Sequence, residues 1–330
     1  MIGKLQHNTV RVLMTIGLVL VAVFASTLPL RAQNDGPAQG IQISPVLVEL
    51  NAERDHTYTL TLKVTNVTAG TLDLTSSVND FRAKDETGNP EILMDQEAGS
   101  SAYSFAQWVD PIPDMTLKSK ESRVLKVDVN VPDNAEAGGH YGVIRFSGTP
   151  PGQTPDNVSM SASVGTLVLT RVAGDITESL ELTDLFVAQN GQEGTTFERG
   201  PITVVERVTN TGNVHLKPTG NAVVKNMFGK TIASLQINNT GGNVLPDSTR
   251  RFEQVLEQKN MFGRYNVEVD MAYGTTGGVL LGTTSFWVIP YKLILLVLVL
   301  LALLIWLGRK AIKRYHQRII RKAGQHSSRR

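Results

Sequence analysis

The sequence predicts an all-β protein, built as two tandem immunoglobulin-like β-sandwich domains followed by one C-terminal transmembrane helix. Three observations support this fold class. Apolar residues alternate with polar ones at a period of two, most clearly where Tyr58, Leu60, Leu62 and Val64 are separated by threonines and a lysine. Turn signals rich in Gly, Pro and Asn recur between such stretches, and no long amphipathic helical pattern intervenes. A run without polar side chains occupies residues 293–307.

The N-terminus has the pattern of a secretory signal. Lys4 and Arg11 precede the apolar run at residues 12–28. Residues 30–32, before Gln33, are small enough or tolerated at a cleavage site and predict cleavage after Ala32. Residues 1–32 are therefore predicted to be a signal peptide, with an uncleaved anchor as the alternative. Residues after it, up to position 40, form an acidic spacer that contains Gly and Pro.

Composition restricts the chemistry and the partners of the exported part. The chain has no cysteine, which excludes disulfides, thiol catalysis and Cys-ligated metal. Of its 32 Lys and Arg residues, 13 lie in the two terminal segments, which leaves 19 against all 30 acids and a net charge of −11 for residues 33–291. An acidic surface of this kind argues against nucleic acid as a partner.

The first predicted domain covers residues 41–172. A hairpin is predicted around residues 85–90, and a Pro- and Gly-rich surface loop at residues 148–155. The predicted strands are residues 43–50, 58–65, 71–81, 124–131, 140–147 and 165–172.

The second predicted domain covers residues 173–285 and repeats a motif of the first. Val-Thr-Asn closes a predicted strand at Asn66 and again at Asn210, and a Gly-containing turn follows each time. Glu206 breaks the analogy because it stands where the first domain has Leu62; a bulge or edge position is favoured over a buried functional acid. A turn is predicted at Asn190–Gly191. The predicted strands are residues 202–209, 222–226, 231–237, 251–256, 265–273 and 279–288.

A transmembrane helix is predicted at residues 286–307, and a buried core helix is the alternative. The tail, residues 308–330, carries nine basic residues and no acid. Such a tail predicts a cytoplasmic side, and hence a single-pass type I protein whose two β domains face the cell exterior or the wall. The tail could also lie on anionic inner-leaflet lipid.

Motifs of catalysis are missing from the exported sequence. Its three histidines, at 56, 140 and 215, show no metal-ligand spacing, and there is no G-x-S-x-G. Residues 228–231 imitate the end of a phosphate-binding loop, but Val224 stands where the loop needs Gly. Asp85, Glu86 and Asn89 could surround a cation, although a solvated hairpin is favoured. Residues 138–142, rich in Gly, are interpreted as close strand packing rather than a ligand loop. We predict a non-enzyme without cofactor or metal.

One short motif occurs twice. Lys-Asn-Met-Phe-Gly begins at residue 225 and again at residue 259, followed by Lys or Arg. Duplicated turn chemistry explains it most simply. If both tips lie at one end of the domain, however, they would form an adaptable apolar patch for a protein partner. The candidate partner-binding residues are Met227, Phe228, Met261 and Phe262.

A family resemblance covers nearly all of residues 41–175. It rests on "GIQISPVLVELN", "VNDFRAKDETGNPEI", "FAQWVDPIPDMTLKSKESRVLKVDVNVPDNAEAGGHYGVIRF" and "SVGTLVLTRVAGD". These stretches resemble the N-terminal domain of bacterial WxL-interacting cell-surface proteins, and "VTNTGNVHLKPTGNAVVKNMFGKTIA" looks like that family's membrane-proximal domain. The resemblance implies a non-enzymatic surface protein whose first domain associates with peptidoglycan and WxL-type partners, and whose second contacts host material.

The sequence thus favours a membrane-anchored bacterial adhesin or scaffold that binds wall polymer or surface proteins, with exposed strand edges able to recruit an extended partner. A pilus-chaperone-like assembly factor is the alternative, because "ISPVLVELN" also resembles the opening of that fold. A wall hydrolase would need a converging pair of acids or histidines.

Overall fold

A computed structural model describes residues 40–94, 103–151 and 162–327 of the chain. The predicted signal peptide, residues 1–32, and residues 33–39 of the predicted spacer lie outside the described residues. The fold class is confirmed: the described chain is two β-sandwiches and one C-terminal helix.

The first domain packs a three-stranded sheet against a larger one. The orders are β1-β3-β7 and β2-β9-β8-β4-β5, with β6 also paired to β4. All pairs are antiparallel except β2 with β9, which is parallel. The strands are β1 (Ile41–Ser44), β2 (Leu47–Ala52), β3 (His56–Asn66), β4 (Leu72–Ala83), β5 (Pro90–Ile92), β6 (Met115–Leu117), β7 (Ser122–Val131), β8 (Gly138–Thr149) and β9 (Ala162–Val172).

The predicted single strand at residues 43–50 is wrong, because the structure divides it into β1 and β2. Pro45 has no N–H to continue the ladder, and the chain passes there from one sheet to the other. β1 pairs with β3, whereas β2 pairs with β9. Two short strands in different sheets therefore replace one long strand.

The second domain has the same two-layer architecture. Its sheets have the orders β11-β10-β13-β16 and β12-β18-β17-β14-β15. Asn190 and Gly191 both take positive φ, 52° and 78°, in the predicted turn between β10 and β11. The strands are β10 (Leu180–Gln189), β11 (Gln192–Glu193), β12 (Thr196–Phe197), β13 (Ile202–Asn210), β14 (Thr219–Asn226), β15 (Thr231–Ile237), β16 (Thr249–Leu256), β17 (Gly263–Tyr273) and β18 (Gly278–Val288).

The repeated Val-Thr-Asn motif has a physical explanation in a buried amide. Asn66 donates to the carbonyls of Gly70, Leu117 and Lys118 at 2.7 to 3.1 Å and accepts from the N–H of Thr68. Asn210 likewise donates to Val214 and Val244, both at 2.8 Å, and accepts from Gly212 N–H at 2.9 Å. Both asparagines are fully buried. Each therefore satisfies the loop backbone that closes its sandwich.

The two sandwiches are docked against each other. The outer face of the large first-domain sheet carries an apolar cluster of Phe81, Tyr141, Val143 and Leu169, and Leu245 of the second domain packs against it. Polar contacts frame this cluster: Tyr103 Oη donates to Asp247 at 2.9 Å, and Arg207 makes a bidentate ion pair with Glu86. Lys217 pairs with Glu49 at 3.0 Å, and Arg171 with Glu178 at 2.8 Å.

The C-terminal helix, α1 (Tyr291–Ser327), is long and apolar enough over Tyr291–Lys313 to cross a membrane, at a mean hydropathy of 2.6. None of that segment is buried by the rest of the chain, unlike a core helix. The predicted start at residue 286 is wrong, because Phe286 and Val288 belong to β18 and are buried in the second domain. At ~1.5 Å per residue the 23-residue segment is about 34 Å long, enough for a hydrocarbon core of ~30 Å.

Candidate binding site

His140 and His215 of the two β domains are engaged in structural contacts. His140 is buried between the carbonyls of Ser104 and Glu136, at 2.9 and 3.0 Å, and its ring lies 4.2 Å from that of Trp108. His215 lies 3.3 Å from Tyr141 Oη at the domain interface, where burial lowers its pKa to about 4. Within the described residues, no three His, Asp or Glu side chains are grouped to hold a metal ion.

The acidic hairpin and the Gly-rich segment are both used for packing. Glu86, at the hairpin tip, is held by Arg207, and its carbonyl accepts from Arg251 N–H at 2.7 Å, so the tip docks on the second domain rather than standing in solvent. In β8 a Cβ on Gly139 would lie 1.8 Å from Tyr141 Oη, and one on Gly142 would lie 2.2 Å from the Phe105 ring. Close packing therefore explains these glycines.

Glu206 overturns the prediction of a bulge or an edge position. β13 is a central strand between β10 and β16, and the irregularity in its ladder lies elsewhere, opposite Leu182 and Asp184. Glu206 is 0% exposed, and burial raises its pKa to about 8. With its amide nitrogen turned toward the carboxyl group, Gln254 of β16 donates to both oxygens, at 2.6 and 2.9 Å. Burial therefore favours the neutral form of this acid, and the hydrogen bonds from Gln254 offset only part of the rise in pKa.

The duplicated Met-Phe tips lie at one end of the second domain, but only three of their four predicted residues are exposed. Phe228 is 86% exposed, Phe262 64%, and Met227 is exposed beside them. Met261 is 5% exposed and belongs to the domain core, so its assignment to an exposed patch is wrong. Gly263 lies against the Met227 methyl group, since a Cβ there would be 1.7 Å from it. The turn before β17 therefore contacts the β14–β15 tip.

A strand edge in the first domain is open at β9. β9 pairs with β8 along its whole length, but with β2 only from Leu167 to Val172. Among the described residues, no strand pairs with the other side of Ala162–Thr166, although Thr166 at its end is fully buried and its hydroxyl donates to Pro45 O at 2.6 Å. Leu167 N–H points to that side, where it donates to Val46 O at 2.9 Å. Because backbone groups alternate along a strand, the N–H groups of Ser163 and Gly165 point the same way.

The open β9 edge carries no charge. Ser163, Val164, Gly165 and Thr166 are uncharged, whereas β16 presents Arg250, Arg251 and Glu253 on its outer edge. Charged residues on an edge strand discourage pairing with another chain. The uncharged β15 is also an edge strand, but Gln258 donates to its Ile232 carbonyl at 3.3 Å, and the groove beside it is lined mostly by polar residues.

A cavity with a mixed apolar and polar lining lies beside Leu167, where the open β9 edge ends. It has a volume of about 300 Å³ and lies between the two domains, where β2 begins. Val46, immediately before β2, is 67% exposed. The cavity lining includes Leu47, Phe81, Leu167, Leu169, Leu245 and Arg250. A chain that paired with Ala162–Thr166 would therefore lead toward this cavity.

Sequence reasoning missed this edge. The predicted strand corresponding to β9 began at residue 165, so residues 162–164 were not assigned to a strand. The prediction also had one continuous strand at residues 43–50, and it therefore showed no unpaired stretch next to β9. The alternation of Ala162 and Val164 with Ser163 is the signal that could have extended the strand. Which neighbour a strand has is decided by tertiary contacts, so the open edge itself was outside the reach of the pattern.

Comparison with known proteins finds structural similarity only. No protein-family model and no curated protein matches the chain. The YadV chaperone has 13% identity and a TM-score of 0.36, covering 75% of this chain and 100% of its own. The class 5 fimbriae chaperone CfaA has 11% identity and a TM-score of 0.36, covering 73% and 98%. The E. coli chaperone DraB has 15% identity and a TM-score of 0.33, covering 75% and 96%. The likeness is one of fold alone, and the WxL-interacting resemblance stays a prediction.

Proposed function

We propose that this chain is a non-enzymatic, membrane-anchored binding protein that captures an extended segment of another exported protein at the β9 edge. In this role it would act as an assembly factor for surface proteins. The open edge at Ala162–Thr166 is the observation that carries the proposal. This is the assembly-factor alternative raised by the sequence, in place of the adhesin that the sequence favoured.

Strand addition would use both parts of the candidate site, the open β9 edge and the neighbouring cavity. Main-chain hydrogen bonds to Ser163 and Gly165 would supply affinity, because these bonds do not depend on the partner's side chains. The neighbouring cavity would admit one apolar side chain and so select among segments. A five-residue edge accepts an extended segment of about 17 Å.

A membrane anchor at α1 would leave this site outside the bilayer. The apolar helix α1 fits a single-pass span, and the basic residues after it favour a cytoplasmic tail, so the two sandwiches would face the exterior as a type I ectodomain. Contacts between the two domains would keep the β9 edge in a fixed position relative to the second domain.

The test is site-specific photo-crosslinking of the full-length protein in its native membrane. A photoreactive residue at Val46, beside the edge, should form an adduct with an exported protein, and one at the exposed Val124 of β7 should not. Ser163→Pro removes an N–H on the open edge, whereas Ser163→Ala keeps it. We expect Ser163→Pro to lower the Val46 adduct about tenfold, because the loss of one hydrogen bond costs about 1.4 kcal/mol, and Ser163→Ala to leave the adduct unchanged.

Two results would refute strand capture. Equal adduct yields in the Ser163→Pro and Ser163→Ala backgrounds would show that edge hydrogen bonds are not used. Equal labelling from Val46 and Val124 would show that the partner does not contact this edge.

Wall binding is a separate proposal, which rests on the family resemblance of residues 41–175. Full-length protein in detergent is expected to be retained by insoluble peptidoglycan, and WxL-type or host proteins would be its protein partners. Retention should survive the Phe228→Ala/Phe262→Ala double substitution, because these residues lie in the second domain. Passage of the protein through the peptidoglycan without retention would end the wall-binding proposal and leave strand capture untouched.

A further inference from the structure

The membrane-proximal end of the second domain carries exposed aromatic residues that no contact within the described chain explains. Phe228 caps the tip between β14 and β15, and Phe262 precedes β17. The register pairs Asn226 with Tyr265 and Gly263 with Val288, so both tips lie at the end where β18 finishes. Trp287 and Tyr291 are exposed at the same end. We call Phe228, Phe262, Trp287 and Tyr291 the aromatic end.

Only two residues separate β18 from the helix. β18 finishes at Val288 and α1 begins at Tyr291, which leaves Ile289 and Pro290, or at most about 7 Å of chain. Ile289 N–H donates to Phe197 O at 2.8 Å, and Ile294 N–H donates to Pro290 O at 3.0 Å. The connection is therefore hydrogen-bonded on both sides and is not a free linker.

An ion pair fixes the first turn of the helix to the domain. Lys292 Nζ lies 2.6 Å from Glu198 Oε2. A groove of about 870 Å³ separates Phe262 and Lys259 on one side from Pro290, Lys292 and Leu293 on the other. Phe262 therefore lies across this groove from the first residues of the apolar segment, at the depth where a bilayer surface would begin.

The charge at the aromatic end is opposite to that of the exported part as a whole. Each copy of the duplicated motif places a cation on both sides of its Met-Phe pair, and Lys230, Lys259 and Arg264 are exposed. Arg199 is exposed next to Glu198, which Lys292 already holds. Exposed aromatic residues mixed with Lys and Arg are typical of segments that lie in the headgroup region of anionic lipid.

We propose that the aromatic end is a lipid-binding surface: Phe228 and Phe262 insert among the outer headgroups of an anionic bilayer and hold the ectodomain at a fixed tilt. The proposal rests on the membrane anchoring of α1, but not on strand capture. Trp287 and Tyr291 would lie at the interface as an aromatic belt. The duplicated Lys-Asn-Met-Phe-Gly motif thereby gains a function beyond turn formation, with lipid rather than protein as the partner.

The test uses the absence of cysteine, which permits single-site labelling of the full-length chain. Phe228→Cys and, as the control, Val124→Cys would carry an environment-sensitive dye in vesicles of phosphatidylcholine with or without phosphatidylglycerol. Lipid-borne nitroxides should quench the dye at 228 at least about threefold more than the dye at 124. Phosphatidylglycerol should increase quenching at 228 only.

A matched pair of charge variants tests the role of the cations. Lys230→Gln/Lys259→Gln should remove the phosphatidylglycerol dependence at 228. Lys63→Gln/Lys126→Gln removes two exposed lysines from the first domain and should leave the phosphatidylglycerol dependence at 228 unchanged.

Three outcomes would overturn the proposal. Equal quenching at 228 and 124 in a chain that resists carbonate extraction would refute lipid contact while leaving the anchor in place. Release by carbonate would refute the anchor together with the lipid surface. If the dye at 228 remained exposed to water in the presence of vesicles and became shielded only when a protein was added, the aromatic end would bind a protein partner instead of lipid.

Discussion

Replacing Asn210 by alanine is expected to lower the free energy of unfolding by about 3 to 5 kcal/mol, because three buried backbone groups lose a hydrogen bond at once and only Val244 O keeps another, from Leu216 N–H. These groups are the carbonyls of Val214 and Val244 and the N–H of Gly212. Urea unfolding of the full-length protein in detergent, followed by tryptophan fluorescence and circular dichroism, measures the change. Asn66→Ala should have a comparable effect in the first domain, where the same amide makes four hydrogen bonds to backbone groups.

Asn239→Ala is the matched control, since Asn239 is exposed in the same domain. We expect its unfolding free energy to change by less than about 0.5 kcal/mol. A loss below about 1 kcal/mol for Asn210→Ala would mean that water or a rearranged loop satisfies the freed groups, and the account of the repeated Val-Thr-Asn motif would be wrong.

Replacing Glu206 by glutamine is expected to stabilise the protein above neutral pH and to have little effect near pH 4. Burial holds the folded pKa of Glu206 at about 8, above the ordinary value of 4.5. The folded state therefore keeps a proton that the unfolded state releases, and wild-type stability falls as pH rises from 4.5 to 8. Glutamine does not ionise, so the variant should gain roughly 2 to 4 kcal/mol over wild type at pH 8.5.

Urea titrations of both proteins at pH 4.5, 7 and 8.5 give this difference as a function of pH. Gln254 can rotate its amide to accept from the new side chain, so the hydrogen-bonding of the pair is kept. Glu257→Gln, at an exposed position, is the control and should show no such pH dependence. A difference between Glu206→Gln and wild type that is the same at all three pH values would contradict a buried neutral carboxyl group.

The strands of both sandwiches could be predicted because each carries its own periodicity. Leu60, Leu62 and Val64 face the core while the threonines between them face outward, and this pattern needs no information from the rest of the chain. The separation of β1 from β2 was not predicted, although Pro45 was visible, because the partner sheet of each half is a tertiary choice. Glu206 was misjudged for a related reason: its burial depends on Gln254, 48 positions later in sequence, which supplies two donors.

The candidate site could be predicted only in part. Exposed strand edges were expected in general, but no residue pattern identified Ala162–Thr166, because an edge is defined by a missing neighbour. For the Met-Phe tips, the duplicated motif suggested equivalent roles for Met227 and Met261. The structure separates them, because Met261 belongs to the core of the second domain while Met227 stays on the surface.

Amide hydrogen exchange at Ser163 and Gly165 tests the central claim most directly. It is measured on the full-length protein alone and in complex with the exported protein captured by the Val46 probe. The account predicts fast exchange at both amides in the free protein and strong protection in the complex, with Leu167 protected in both because it already bonds to Val46. A complex in which Ser163 and Gly165 exchange as fast as in the free protein would contradict capture by strand addition.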